Sequence, residues 1–360
     1  MCDRDRRSSH FVWGPALLVL VLVVACAPAA PPTAAAPPAA GGAGGAAAPG
    51  MASAAAPAPA SRLKITVGTL TIPTVSASLT SVMQHKDFAS KYGLDVEIKE
   101  YSAIAAILGA YVTGEIQVGV TGPHSIQRMR NDGVPMQIIS TIARLDGVRV
   151  LTADPRITDL QDLRGKRLAG DLASSEYQVA LLYAKKSKGI DFRSDVTVVN
   201  AGQPLARQQL KTGEVDAAVL WEPIVAQALL EDNPDYHSIF DGQKAWREMT
   251  NTDGWELVGV MNEEMARQNP GLVQRVNSMM QDVVQFIQDH PDEAGAMVEQ
   301  EIKLPARVFK EAVVSGRLVL KVEPAWEPAP RQAIEEMFQA AVDVGYLDRL
   351  PPSQIFYQPQ

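Results

Sequence analysis

The chain has 360 residues, with 41 acidic against 33 basic side chains and a formal net charge of −8. That balance provides no basic stripe for sequence-independent nucleic-acid binding, so nucleic acid is not an expected partner. Both cysteines, Cys2 and Cys26, lie near the start, which excludes disulfides, thiolate chemistry and Cys-based zinc or iron–sulfur sites from the body beyond residue 61.

The beginning does not read as a fold. Met1 to His10 carries Arg4, Arg6 and Arg7, and Phe11 to Ala25 is an apolar run. At about fifteen residues the run has signal-peptide proportions rather than those of a membrane span of about twenty. It ends Val23-Val24-Ala25-Cys26. A small residue directly before a cysteine at that place resembles a lipoprotein processing site, with Val23 where Leu is usual. Residues 1–25 are thus expected to be a signal peptide, and Cys26 the lipidated first residue of the product. Residues 26–61 are Ala, Pro and Gly almost throughout and read as a tether. An anchor, a spacer and then a body predict a lipoprotein at the extracytoplasmic face of a cell membrane.

From Arg62 the chain is long enough for two domains. Leu63–Thr69 and Leu94–Glu100 alternate and read as strands, with a helical segment between them ending near Ala89. Ala103–Thr113 reads as a helix closed by Gly114, and Ile116–Val120 as a strand. Thr121 to Ser125 turns into a helix ending near Asp132, and Met136–Ile142 is the next strand. Leu145–Ala153 reads as a crossing segment. The alternation then restarts: a turn and strand within Leu160–Gly170, a helix over Ser174–Lys188, and a strand over Val196–Asn200. A helix over Gln203–Lys211, a strand over Val215–Leu220 and a helix over Ile224–Glu231 follow, then strands at Tyr236–Phe240 and Trp255–Met261. Four helical segments close the chain, begun by Pro270, Pro291, Pro305 and Pro330.

One echo stands out. TGEIQVGVTGP, from Thr113, and TGEVDAAVLWEP, from Thr212, share Thr-Gly-Glu, a short apolar run and a break containing Pro. The alternation predicts two α/β lobes, each a mainly parallel sheet flanked by helices. Residues 62–147 and 257–360 form a discontinuous first lobe ending in a helical segment, and residues 148–256 the second. Two crossings between lobes make a hinge and a cleft, where strand ends and helix N-termini meet a ligand.

Taken together, KITVGTL, GLDVEIKEY, TGEIQVGVTG, DLQDLRGKRLAG and TGEVDAAVLWEP, in this order behind such a leader, resemble the extracytoplasmic solute-binding proteins of ABC importers. The resemblance is to the branch that serves nitrate, sulfonates such as taurine, and thiamine precursors. It covers Leu63 to about Leu350. It implies a monomeric type II periplasmic-binding-protein fold that closes on one small molecule. The ligand is then delivered to a permease served by a cytoplasmic ATPase, without cofactor, metal or catalysis.

Carried onto this sequence, the family's ligand contacts fall on the loops after the strands. The candidates are Thr71 and Thr74; Thr121, Gly122 and Ser125; Ser174, Ser175 and Tyr177; Asn200; Trp221 and Glu222; and Trp255. Helix starts at Gly122 and Ser174 would free backbone N–H groups for an anion or carbonyl, although Thr121, Ser125 and Ser174 can equally serve as caps. Trp221 offers a flat platform or braces the hinge. Glu222 either holds a cation or faces solvent. The loops contain no Arg or Lys, and their aromatic candidates favour a small organic ligand over the alternative, a small anion such as a sulfonate, nitrate or bicarbonate. An enzyme is disfavoured, since no nucleophile elbow, zinc-protease motif or phosphate loop is present. A sensory lipoprotein of the same fold is the remaining alternative.

Overall fold

A computed structural model describes residues 62–359. The expected signal peptide, tether and lipidated Cys26 lie outside those residues. The strands are β1 (Leu63–Leu70), β2 (Leu94–Tyr101), β3 (Val118–Thr121), β4 (Met136–Arg144) and β5 (Arg149–Thr152). After them come β6 (Arg167–Gly170), β7 (Thr197–Asn200), β8 (Ala217–Leu220), β9 (His237–Asp241) and β10 (Trp255–Asn262). They build two five-stranded sheets, ordered β2-β1-β3-β10-β4 and β7-β6-β8-β5-β9.

The two sheets share one plan. In each, four strands run in one direction, and the fourth place in the order is taken by a single reversed strand, β10 or β5. Both reversed strands adjoin the crossings between lobes. β5 falls in the segment expected only to cross. Its four residues are too few for a period-2 signal, and pairing with β8 and β9 makes it a strand. The helix Gly242–Thr250 was also not expected. Asp241 caps it by accepting from Lys244 N at 3.0 Å, and it buries Trp246 completely.

Local chemistry explains the repeated strand–turn–helix pattern. The helices Ile104–Thr113 and Gln203–Thr212 both end in a left-handed glycine, Gly114 at φ 74° and Gly213 at φ 72°. The amide after each reaches back into the helix, Glu115 N to Ala110 O at 3.0 Å and Glu214 N to Gln209 O at 2.9 Å. Only glycine takes that conformation without steric cost, so Thr-Gly-Glu stops the helix and launches the strand in both lobes. β8 is buried along its whole length, as an inner strand covered on both faces must be.

The closing helices, Leu272–Asp289, Pro291–Ile302, Ala306–Val314 and Pro328–Asp343, pack on the first lobe. Leu320, Pro324 and Phe356 bridge to β4 and cover what would be an open sheet edge. No described helix is long and apolar enough to cross a membrane.

Candidate functional site

A cavity lies between the lobes, where strands end and helices begin. From the first lobe it is lined by Thr74 and Ser76, by Thr121, Gly122 and Ser125, and by Glu256; from the second by Ser174, Ser175, Glu176 and Trp221. β10 places Glu256 in the first sheet rather than in the second lobe expected over residues 148–256. Leu70, Val75, Ile104, Ile107, Val120 and Leu257 supply its apolar wall. Its volume is about 50 Å³, because the lobes are in contact. The His124 amide donates across the gap to Ser175 Oγ at 3.2 Å. At Gly122 the lobes approach so closely that an added Cβ would lie 2.0 Å from Ser175 Oγ.

Three helices point their N-termini at this cavity: Val75–Lys86, Pro123–Asn131 and Ser175–Lys188. Their caps are Thr74, Gly122 and Ser174. Thr74 accepts from Ala77 N at 3.2 Å and Ser174 from Tyr177 N at 3.1 Å, while Gly122 has no side chain to do so. Three helix starts bring partial positive charge and free N–H groups to one place without any lysine or arginine in the lining.

Trp221 lines the cavity and is 3% exposed. Its amide donates to Gln203 Oε1 at 3.0 Å, and Gln203 Nε2 donates to Val219 O at 3.2 Å. The side chain of Gln203 therefore fixes the strand end from which the indole projects.

The lining brings together seven of the twelve expected residues: Thr74, Thr121, Gly122, Ser125, Ser174, Ser175 and Trp221. Five lie elsewhere. Thr71 is exposed and its hydroxyl donates to Tyr101 O at 3.4 Å. Tyr177 packs inside the second lobe against Gly170 and Phe192, because it lies on the helix face turned to the sheet. Asn200 is exposed at its strand end, where Oδ1 accepts from Leu172 N at 3.1 Å. Glu222 is fully buried at the hinge, not solvent-facing. Its carboxylate accepts from Arg317 Nε at 2.6 Å and from Ala226 N at 3.0 Å. Trp255 is buried beside Arg144 and Met337, on the strand face opposite its neighbour Glu256.

Two lining carboxylates were not anticipated. Glu176 follows the paired serines and is buried, and burial pushes its carboxyl up to about 7. Glu256 is 1% exposed, and neither oxygen has a hydrogen-bond partner among the described residues. Burial, reinforced by Glu176, Glu222 and Asp146, raises it well above the ordinary carboxylate range. The available signal was a carboxylate inside the apolar run Trp255–Met261, where a buried strand has no ordinary use for one. No group of three or more His, Cys, Asp or Glu among the described residues could hold a metal ion.

The NMT1/THI5-like family model matches residues 79–294, a span containing most of these lining residues. The taurine-binding periplasmic protein of Escherichia coli is 26% identical over 231 residues, covering 64% of this chain and 67% of that protein. Among solved structures, the periplasmic aliphatic sulphonate-binding protein of Escherichia coli superposes with a TM-score of 0.68 at 18% identity, over 82% of this chain and 92% of the other. The alkanesulfonate-binding protein of Xanthomonas axonopodis, bound to MOPS, gives 0.66 at 19% identity, over 83% and 97%.

Proposed function

The chain belongs to the NMT1/THI5-like family as a solute-binding component of that ABC-importer branch, and on this premise we propose that it captures a small sulfonate-bearing ligand between its lobes. The observation that carries this reading is the convergence of three helix N-termini, with serine and threonine at two of the caps, on one interlobe cavity. A sulfonate has three oxygens and one charge. Backbone N–H groups and hydroxyls can satisfy them without a counter-charge from Arg or Lys. The sulfonate-binding names of the relatives support the same choice over the other small organic ligands expected from the aromatic candidates. Trp221 then forms an apolar wall beside the ligand.

The protein is a binding protein and not an enzyme, and it works outside the cytoplasm. Contacts from both lobes favour the closed form, and the permease with its ATPase takes the ligand from that form. Lipidation of Cys26 holds the body at the membrane. Metabolic labelling with palmitate tests the anchor: the chain should carry label, and Cys26→Ser should carry none. The ligand class is tested by isothermal titration of the purified chain with alkanesulfonates, nitrate, bicarbonate and pyrimidines. Saturable one-to-one binding of a sulfonate is expected. Binding of a pyrimidine and no sulfonate would sink this reading.

A further inference from the structure

Glu256 is a buried carboxylate with no hydrogen-bond partner among the described residues, and it lines a cavity that a second buried carboxylate also lines. A charged group in that position is costly unless something of opposite charge meets it. The cations near the hinge are already engaged. Arg317 is held by Glu222 at 2.6 Å and Glu311 at 3.4 Å. Arg149 is held by Asp241 at 2.9 Å and by the Val148 carbonyl at 3.0 Å. Arg144 pairs with Asp253. None of them is hydrogen-bonded to Glu256, whose Oε2 lies towards Gly147 at the first crossing.

We propose that the ligand carries a cationic nitrogen, a primary ammonium or an equivalent N–H cation, that is held between Glu176 of the second lobe and Glu256 of the first. This rests on the interlobe cavity being the ligand site, and it narrows the ligand class. The helix starts offer positive potential and N–H donors; Glu176 and Glu256, once a cation displaces their protons, offer negative charge and acceptor oxygens. A site so polarised fits a short zwitterion with an acid group at one end and an ammonium group at the other. An unaminated alkanesulfonate or nitrate would leave Glu256 without a partner and bring negative charge towards a buried carboxyl. Because the two carboxylates come from different lobes, the ammonium group also bridges them and favours closure.

The test is titration of the full chain with matched pairs: taurine against ethanesulfonate, β-alanine against propionate, and benzylamine against benzyl alcohol. In any pair that binds, the aminated member should bind at least about tenfold more tightly. Glu256→Gln and Glu176→Gln, each near-isosteric and checked for an intact melting transition, should each reduce that preference to less than about threefold. Ethanesulfonate binding as tightly as taurine would leave the sulfonate reading standing and overturn the cation site. Benzylamine binding while no sulfonate does would uphold the cation site and overturn the sulfonate reading. Absence of binding by every aminated probe overturns the cation site. So does an undiminished preference in both variants.

Discussion

Glu256 and Glu222 are buried carboxylates near the same hinge with opposite circumstances. Glu222 is satisfied by Arg317 and the Ala226 amide, whereas Glu256 is bonded to nothing described. Removing a partner from the first should therefore hurt, and replacing the ionisable carboxyl of the second should help. Arg317→Ala is expected to lower unfolding free energy by about 3–5 kcal/mol, because it leaves Glu222 buried without its ion-pair partner. Chemical denaturation measures this, and a loss under about 1 kcal/mol would contradict it. Glu256→Gln should raise the melting temperature of the ligand-free protein while weakening ligand binding. The pH dependence has the same origin. Glu176, buried beside Asp171 and Glu256 and only partly relieved by Ser174, has its folded pKa raised from 4.5 to about 7. Glu256, buried and facing Glu176, Glu222 and Asp146 with Arg149 opposing them, is raised as well. A carboxyl with a raised folded pKa holds more protons in the folded state than in the unfolded one. Its stabilising contribution is full below about pH 4.5 and is lost as pH rises through about 7. The ligand-free protein should lose about 1–3 kcal/mol over that window from this group. The loss should be smaller in Glu176→Gln, as thermal melts across pH would reveal.

Among the elements, much was legible because each carries its own stop and start signals. Thr-Gly-Glu marks a glycine-capped helix and the next strand in both lobes. Gly114→Ala or Gly213→Ala should each cost about 1 kcal/mol or more, since both sites have positive φ. β5 was not legible, because its strand identity comes from β8 and β9, tens of residues away in sequence. The same limit applied to the site. Caps such as Thr74 and Ser174 are local features that a single sequence displays. The meeting of Glu176 with Glu256 depends on how two lobes face each other, and no periodicity encodes that. Tyr177 and Trp255 were chosen for ring chemistry, yet helix and strand phase turned both away from the cavity.

For the whole molecule, closure runs through Gly122. It has an ordinary φ of −74°, so alanine fits its backbone, but the added methyl would meet Ser175 Oγ at 2.0 Å. Gly122→Ala should therefore leave each lobe folded and hold them apart. The expected result is a larger radius of gyration by X-ray scattering with ligand present, and affinity lowered about tenfold or more. Unchanged affinity would mean that the lobes do not need this contact to bind.

The pairing of Arg144 with Trp255 has a consequence for how such a molecule can be taken apart. These residues are neighbours on antiparallel strands, and the Leu145 amide donates to Gly254 O at 3.3 Å. β4 and β10 are thus the two arms of a hairpin, and everything from Leu145 to Gly254 is, topologically, its loop. A two-residue Asn-Gly turn could join the arms directly. The second lobe is then a removable cassette, and a chain lacking it should retain the first five-stranded sheet as a folded, non-binding protein.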